Sequence, residues 1–320
     1  MTHRAVPNEQ GEKMKPFRKN VAIAIDGGGI RGVMIAQALI AVEKELGRQV
    51  SDIFSLAAGT STGSIISAGL GAGLSAQRMY EMYMQLGATV FPRTLRSMLW
   101  PIVPYRYSGQ PLVDALKSVM GEMTMGDFWK ATPPKDIVIV VRDLVQNRTR
   151  FLKSWKDEYR DWPVWKAVFA SCSVPTYFPV VDGRYVDGGV GSFSNPCYAA
   201  AFEAVYCQKW DPQQSTLISI GSGRTPDALK PHQADKFISI QWFAPLVDTF
   251  LDAANDQQVN VVKRFFADLD FRRFQINIPS IEMDDVSKMK ELTEYGKKLG
   301  QMIVNDEVDR DALRPLTLPS

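Results

Sequence analysis

Short apolar runs alternate with glycine-rich loops and amphipathic segments in the N-terminal part of the chain. The run Val21–Ile25 is continuously apolar, as is typical of a parallel-sheet strand covered on both faces. The loop Asp26–Gly29 separates it from a predicted helix over Val33–Leu46. A second apolar strand, Ile53–Ala58, leads into another helix that begins close to Thr62. The repeated order of strand, loop and helix predicts an α/β fold with a mostly parallel central sheet flanked by helices.

The same alternation continues towards the C-terminus. Further strands are predicted at Asp136–Val141, Leu217–Ile220 and Phe274–Ile278, with Arg150–Trp155 as a hairpin partner of the first. Further helices are predicted at Ser75–Leu86, Pro111–Met120, Trp162–Ala170 and Cys197–Cys207. No linker or repeat divides the chain, so we expect a single domain. We expect a polar tail over residues 1–19, a core over 20–225, and a helical extension over 226–320 packed on that core.

Composition narrows the class of protein rather than its function. The 320 residues carry a formal charge of +2, which gives no reason to expect a nucleic acid polymer as partner. Three irregularly spaced cysteines suit a reducing compartment, and the polar N-terminus has no apolar segment of the signal-peptide kind, so we expect a cytoplasmic protein. The uncharged stretch Ile53–Gln77 has the length of a membrane span, but its content of Gly, Ser and Thr favours a buried strand, turn and helix.

The segment GTSTG, Gly59–Gly63, matches the motif G-x-S-x-G between the second strand and its helix. In this motif a serine nucleophile lies on a sharp strand-to-helix turn with strained backbone angles, so both flanking residues must be small. The helix N-terminus favours negative charge that develops nearby. The alternative is a structural serine in a glycine-rich turn, but the strand and helix on either side favour Ser61 as a nucleophile.

A second glycine-rich loop, DGGGIRG at Asp26–Gly32, follows the first strand. It also fits G-x-G-x-x-G, the dinucleotide fingerprint of many oxidoreductases, which expects an acidic residue at the end of the next strand. That strand ends without an acid, so an oxyanion hole suits the loop better, because successive glycines direct backbone N–H groups at a substrate oxygen. Gly27, Gly28, Gly29 and Arg31 form the predicted oxyanion site, in which the amides of Gly28 and Gly29 are the main donors and Arg31 braces the loop or attracts a phosphate.

The chain offers few partners for a serine nucleophile, whose usual base is histidine. Its two histidines are His3 in the polar tail and His232 in a polar loop, where a solvated side chain is more common than a catalytic one. A triad of Ser61, Asp187 and His232 is therefore disfavoured. A carboxylate that is hydrogen-bonded to the hydroxyl also serves as a base, and Asp187 stands where a predicted strand ends in Gly188-Gly189.

Three of these motifs together resemble the signature of the patatin-like phospholipase family. They are Asp26–Gly32, Gly59–Gly63 and Asp187–Gly189, in the order that the family has them. The segment Ala170–Pro179 is similar to the family's stretch before its catalytic aspartate, whereas Ser194-Asn195-Pro196 departs from the usual Asn-Asn-Pro. The resemblance covers roughly residues 20–225, and its motif glycines in this chain include Gly32, Gly59, Gly63, Gly188 and Gly189.

The resemblance implies a patatin-like fold, a Ser61–Asp187 dyad and a glycine-rich oxyanion loop. It implies no metal and no cofactor, and it implies hydrolysis of fatty-acyl esters of membrane phospholipids through an acyl-enzyme. Such an enzyme works at the inner face of the membrane as a peripheral protein. An acyltransferase, in which an alcohol replaces water, remains an alternative, and so does a non-catalytic lipid-binding protein.

One segment has the composition of a lipid-contacting surface. Phe91–Tyr107 contains no acidic residue and places Arg93, Arg96 and Arg106 around the apolar run Met98–Val103, which suits an anionic interface. A core loop with incidental charges is the alternative. The segment is therefore predicted to contact the lipid surface.

A second expectation concerns control of the activity. Compact bacterial members of the family resemble anti-phage effectors in which a cyclic nucleotide activates lipid hydrolysis. In this chain the Arg-rich stretches Arg142–Arg150 and Arg264–Arg273 are the candidates to bind its phosphates, with solvated charged faces as the alternative. The sequence does not indicate an oligomeric state.

Overall fold

A central sheet is the main feature of the computed structural model, which describes residues 14–92, 94, 102–226, 229–230, 232–242 and 255–309. In this part of the chain the sheet has seven strands. They are β1 (Asn20–Ile25), β2 (Leu56–Thr60), β3 (Asp136–Asp143), β4 (Arg148–Lys153), β5 (Tyr185–Asp187), β6 (Ser215–Ile220) and β7 (Asp270–Phe274). Along the order β4-β3-β2-β1-β6-β7, all neighbours from β3 to β7 are parallel, while β4 and β5 pair antiparallel with β3. The prediction of a mostly parallel sheet is confirmed.

Helices cover both faces of the sheet. Within the described residues they are α1 (Gly32–Leu46), α2 (Thr62–Gly71), α3 (Ala76–Val90), α4 (Gln110–Met120), α5 (Met125–Lys130), α6 (Val164–Cys172), α7 (Cys197–Phe202), α8 (Asn255–Phe265) and α9 (Met289–Val304). In β1, Val21, Ile23 and Ile25 pack into one apolar cluster, and Ala22 and Ala24 pack into a second, smaller one. Alternate side chains of a strand point to opposite faces, so this continuous apolar run belongs to a strand that is buried on both sides.

Most predicted elements are confirmed, with shifts of a few residues at their ends. The predicted helices before residue 175 correspond to α1, α2, α3, α4 and α6. The second strand begins at Leu56 rather than Ile53, because Val50–Asp52 forms a 3₁₀ turn. The helix predicted to run as far as Cys207 changes at Phe202 into a π-helical turn.

The last strand is a clear correction. The sequence predicts a strand at Phe274–Ile278, whereas β7 spans Asp270–Phe274. Its sequence, DFRRF, has too many charges for a hydropathy pattern to mark a strand. Inside the protein both arginines pair with aspartates, so the charges are neutralised where the strand is buried.

The chain beyond residue 225 belongs to the same sheet. It supplies β7 as well as α8 and α9, and α9 packs against α1. The predicted boundary near residue 225 therefore does not divide the sheet. No helix of the described residues combines the length and the apolar character that a membrane span requires. The uncharged stretch Ile53–Gln77 folds mainly as β2 and α2.

Candidate active site

Ser61 occupies the turn between β2 and α2, at the C-terminal edge of the sheet. Its backbone angles, φ 54° and ψ −127°, lie where residues other than glycine are rarely found. A second serine supports the turn, because the Ser61 N–H donates to Ser171 Oγ at 2.9 Å and that hydroxyl donates to the Val140 carbonyl at 2.7 Å. The strained turn expected for a nucleophile is present, and Ser171 is a supporting residue that the sequence motif does not reveal.

Close backbone contacts require both glycines of the motif. A Cβ at Gly59 would lie 2.2 Å from the carbonyl oxygen of Gly63, and a Cβ at Gly63 would lie 2.1 Å from the carbonyl oxygen of Ile25. A backbone oxygen at this distance leaves no room for a side chain. The spacing G-x-S-x-G therefore reflects how tightly the start of α2 packs against the ends of β1 and β2.

Asp187 reaches the serine turn because β3 is longer than β2. The pairing of β2 with β3 ends at Thr60, opposite Val140, and β4 occupies the other edge of β3. Strand β5 then pairs with the part of β3 that extends past β2, with Asp187 opposite Val141. The β3 residue that pairs with Asp187 therefore follows directly after the one that pairs with Thr60, which brings Asp187 beside the serine turn. Asp187 and Ser61 line one cleft together.

The Asp187 carboxyl is buried and only partly hydrogen-bonded. Burial raises the pKa of Asp187 to about 7, against the opposing effects of the Ser61 hydroxyl and the Gly189 amide. The oxygen Oδ1 accepts the Gly189 N–H at 2.7 Å. Among the described residues Oδ2 has no hydrogen-bond partner of standard geometry. Oδ2 is therefore the oxygen that is left to accept a further hydrogen bond, and a carboxyl with this pKa exchanges protons readily near neutral pH.

The glycine-rich loop passes directly beside the serine. A Cβ at Gly27 would lie 3.1 Å from Ser61 Cβ. The Gly27 amide donates to the Ser194 carbonyl at 2.9 Å, which removes Gly27 from the predicted set of oxyanion donors. The amides of Gly28 and Gly29 have no acceptor within the part of the chain that the structure describes. These two amides remain as the candidate donors.

Three residues from the C-terminal third anchor this loop. Asp26, at the end of β1, accepts hydrogen bonds of 2.8 and 2.5 Å from the two terminal guanidinium nitrogens of Arg273, and both side chains are buried. Ser222 Oγ donates to the Gly27 carbonyl at 2.5 Å, and the Met283 carbonyl accepts the Ile30 N–H at 2.8 Å. No motif contains Ser222 or Met283, and the sequence indicated Arg273 only as the end of a predicted phosphate-binding stretch.

The cleft that contains Ser61 and Asp187 also contains a cation. Arg31 is buried, and its Nε donates to the Gly28 carbonyl at 3.4 Å, so it braces the loop. In the described ranges, no carboxylate oxygen lies close enough to the Arg31 guanidinium, within 4.0 Å, to form an ion pair. The positive charge of Arg31 is therefore left for an anionic group that enters the cleft.

An apolar cavity borders the same serine. It has about 890 Å³ of empty space, including its opening to solvent, and its walls come mainly from α2, α3, α4 and the start of the segment after α6. Aliphatic, methionine and aromatic side chains dominate the lining, among them Leu86, Leu112, Leu116 and Phe178. The chemical character of this lining suits an aliphatic chain whose carbonyl carbon lies at Ser61.

The arrangement of loop, strained serine and buried aspartate agrees with a comparison with known proteins. The sequence profile described as "Patatin-like phospholipase" matches residues 23–201. The chain belongs to the patatin-like phospholipase family. The match includes all three motifs that carry the resemblance.

Similar proteins come from several kingdoms. This patatin-like chain is 29% identical over 263 residues to the "Intracellular phospholipase A2" of Caenorhabditis elegans. The aligned region covers 76% of this chain and 23% of that protein. It is 30% identical over 233 residues to the "85/88 kDa calcium-independent phospholipase A2" of Mus musculus, with 64% and 27% covered. The "Patatin-like protein 2" of Oryza sativa subsp. indica is 26% identical over 355 residues, with 90% and 84% covered. The chain thus spans about a quarter of the length of the two phospholipases A2.

Among solved structures, VipD from Legionella pneumophila is similar in fold. The two chains have a TM-score of 0.47 and 13% sequence identity, over 91% of this chain and 67% of VipD.

The patatin-like site does not include a histidine in the described residues. The side chain of His232 is 89% exposed, and its Nδ1 lies 3.0 Å from Asp235 Oδ2. It is not among the residues that line the cleft around Ser61. His3 lies outside the described residues. The arrangement thus agrees with the expectation that His232 is a surface residue.

The predicted phosphate-binding stretch Arg264–Arg273 is in part internal. The guanidinium groups of Arg272 and Arg273 are buried in ion pairs with aspartates. Both are committed to the packing of β7, so they are not free to bind a phosphate. The hydropathy pattern gave no sign of this burial, because a charged run usually lies on a solvated face.

About half of the segment predicted to contact lipid lies outside the described residues, including Arg93, Arg96 and residues 98–101. Within its described part, Ile102 is 86% exposed. Arg106 Nη1 lies 2.5 Å from Asp284 Oδ2. This arginine therefore makes an internal ion pair instead of facing lipid.

Proposed function

We propose that the protein is a lipid acyl hydrolase of the phospholipase A type, with Ser61 as nucleophile and Asp187 as base. One observation supports this most directly: Ser61 borders both a polar cleft with a buried carboxyl and an apolar cavity. The cleft supplies the base and the oxyanion donors, and the cavity accepts an aliphatic chain. A soluble ester needs only the first of these, whereas a fatty-acyl ester needs both.

In the proposed first step, Asp187 takes the hydroxyl proton while Ser61 Oγ attacks the carbonyl carbon of the ester. The carbonyl oxygen becomes an oxyanion, which the amides of Gly28 and Gly29 stabilise. The tetrahedral intermediate then collapses, Asp187 gives its proton to the departing lysophospholipid oxygen, and an acyl-serine remains. Water attacks this acyl-serine with Asp187 again as base, and the second collapse releases the fatty acid and restores Ser61.

Arg31 supports a phospholipid rather than a neutral ester as substrate. Its guanidinium lies in the cleft beside Ser61, and a guanidinium matches the oxygens of a phosphate group in charge and geometry. With the acyl chain in the cavity, the head group points towards the polar cleft. A membrane phospholipid presents both parts to a peripheral protein, and we place this one at the inner face of the membrane.

The test measures fatty acid released from phospholipid vesicles and, separately, hydrolysis of a soluble short-chain ester. Ser61→Ala and Asp187→Ala should each lower both rates by about 10⁴ or more, as loss of the nucleophile or base does in other serine hydrolases. Asp182→Asn, at an exposed turn aspartate nearby in sequence, is the matched control and should keep full activity. The assignment is wrong if either folded active-site variant retains more than about a tenth of the rate.

The same reaction separates hydrolysis from the two alternatives. An added acyl acceptor, such as a lysophospholipid, competes with water for the acyl-serine. Faster formation of the new ester than of free fatty acid would assign an acyltransferase. Vesicle binding with no turnover of either substrate would assign a non-catalytic lipid-binding protein.

We also propose that a cyclic nucleotide activates this hydrolysis in antiviral defence. This part of the proposal rests on the family resemblance alone. Each of the two Arg-rich stretches has, in the described chain, an exposed arginine that does not pair with a carboxylate: Arg148 in the first and Arg264 in the second. The assay compares soluble-ester hydrolysis with and without a panel of cyclic di- and trinucleotides. Activation by one nucleotide at a concentration far below that of the others supports the trigger. Full activity without any nucleotide removes it.

A further inference from the structure

The hairpin between β3 and β4 exposes two apolar side chains at its tip. Leu144 is 49% exposed and Val145 is 69% exposed. Arg142 precedes them on β3, and Arg148 begins β4. Exposed aliphatic side chains between arginines are not explained by the core or by the proposed catalytic site.

Two of the arginines beside this tip, Arg142 and Arg148, have no acidic partner among the described residues. Arg142 donates to Asn147 Oδ1, and Arg148 Nη2 donates to Gln146 Oε1 at 2.5 Å, so both bond to uncharged amide oxygens. Across the described ranges, no carboxylate oxygen lies within 4.0 Å of the guanidinium group of Arg142 or of Arg148, so neither forms an ion pair. Arg150 also donates to Gln146 Oε1, though it lies 3.6 Å from the buried Asp143. The tip therefore presents at least two uncompensated positive charges.

The tip projects from the edge of the sheet that contains the proposed catalytic residues. Asp187 pairs with Val141, and Leu144 follows three residues after Val141, directly past the end of β3. A strand rises about 3.3 Å per residue, so the tip extends roughly 10 Å past the level of Asp187. The segment after Asp187 contacts the hairpin, because a Cβ at Gly191 would lie 3.2 Å from Arg142 Cδ. The tip therefore lies beyond the level of Asp187, on the side of the sheet where Ser61 is found.

We propose that the β3–β4 hairpin tip docks the protein on a membrane surface rich in anionic phospholipids. The guanidinium groups of Arg142 and Arg148 bind lipid phosphates, and Leu144 and Val145 enter the interface beneath them. Basic side chains next to aliphatic ones are the combination that holds a peripheral protein at an anionic membrane. This inference rests on the proposed function, since docking at this edge brings the cleft and the apolar cavity towards their phospholipid substrate.

Binding is measured by sedimentation of the whole chain with vesicles, in the Ser61→Ala background so that no lipid is consumed. One set of vesicles contains phosphatidylcholine alone, and the other contains phosphatidylglycerol as well. Arg142→Gln with Arg148→Gln should weaken binding to the anionic vesicles by about 30-fold at low salt, because each basic residue near such a surface contributes roughly fivefold. Leu144→Ser with Val145→Ser should weaken it by about tenfold or more.

Two control variants lie at the opposite edge of the sheet. Arg48, which follows α1, and Phe265, which ends α8, are both exposed. Arg48→Gln and Phe265→Ser should leave vesicle binding unchanged. Equal weakening by the control and hairpin variants would overturn the docking surface, and so would vesicle binding that none of the hairpin variants alters. A wild-type protein that self-associates through the tip, with monomeric hairpin variants, would assign the tip to a second copy instead.

Docking and catalysis fail in distinguishable ways. In the background with Ser61 intact, the variant with Leu144→Ser and Val145→Ser should hydrolyse a soluble ester at the wild-type rate and release less fatty acid from anionic vesicles. If it loses both activities equally, the hairpin serves the fold and the docking proposal is wrong. If the wild-type protein hydrolyses no ester but the hairpin variants still lose vesicle binding, the docking surface stands and the proposed function fails.

Discussion

Asp187→Asn should abolish hydrolysis and, at the same time, stabilise the fold. Burial raises the pKa of Asp187 from its ordinary value of 3.8 to about 7. Between these values the native state binds more protons than the unfolded state, so this group lowers the stability as pH rises through that window. At about 1.36 kcal/mol per pKa unit, the shift of roughly three units corresponds to a loss of up to about 4 kcal/mol above pH 7.

Asparagine at this position carries no charge and avoids that loss. Its side-chain oxygen still accepts the Gly189 amide, and its NH₂ group replaces Oδ2, which has no partner of standard geometry among the described residues. The expected gain is smaller than the limit, on the order of 2 kcal/mol above pH 7, because a buried amide also needs hydrogen bonds. The base required by the proposed mechanism is absent, so the more stable variant is the inactive one.

Urea unfolding at several pH values, followed by tryptophan fluorescence, measures this effect. The stability difference between Asp187→Asn and wild type should grow by roughly 2.5 kcal/mol between about pH 5 and pH 8. Asp143→Asn is the control with the opposite sign. A hydrogen bond of 2.7 Å from Arg184 lowers the pKa of Asp143, so this group stays ionised and its loss destabilises the fold equally across the range. A flat or falling difference for Asp187→Asn would refute the raised pKa.

Three further changes test two supports of the site and the exclusion of His232 from it. Gly63→Ala places a Cβ 2.1 Å from a backbone oxygen, so it should lower the free energy of unfolding by several kcal/mol or prevent folding. Gly73→Ala is the control, because Gly73 has open space around it, and it should lower the free energy of unfolding by only about 1 kcal/mol. Urea unfolding measures both. Arg273→Met leaves Asp26 buried without its partner and should cost about 3 to 5 kcal/mol, and adding Asp26→Asn should recover much of that loss in a double-mutant cycle. His232→Gln should keep the wild-type rate on a soluble ester, because the ring is exposed, and a loss comparable with Ser61→Ala would restore the triad.

The catalytic loops could be predicted because their requirements are local. Gly59 and Gly63 are fixed by contacts within a few ångströms of the serine turn, and these contacts recur wherever a strand turns sharply into a helix. The parallel order of the sheet follows from the same short-range alternation. The meeting of Ser61 with Asp187 needed one more fact, namely that β3 extends past β2 and leaves an edge for β5. No pattern in the sequence gives the relative lengths of paired strands.

The supports of these loops could not be predicted because their partners are far away in the sequence. Ser171 bonds to Ser61 across 110 residues, and Arg273 bonds to Asp26 across 247. Ser171 lies in the segment Ala170–Pro179 that resembles the family, but the resemblance does not indicate which residue its hydroxyl contacts. Arg273 is buried although it lies in a charged run, a pattern that predicts a solvated surface. Pairing of buried charges is a property of the folded chain, and hydropathy along one segment does not contain it.

The supports also explain why the chain beyond the family match affects the proposed reaction. The match ends at residue 201, whereas Ser222, Arg273 and Met283 anchor the glycine-rich loop from later elements. Oxyanion donors lower a barrier most when they are already in place, because no reorganisation is then needed as charge develops. In the proposed reaction, the matched motifs supply the reacting atoms, and these three later residues set how firmly the donors are positioned. A protein that shares the motifs but lacks a partner for Asp26 would keep the chemistry and lose much of its rate.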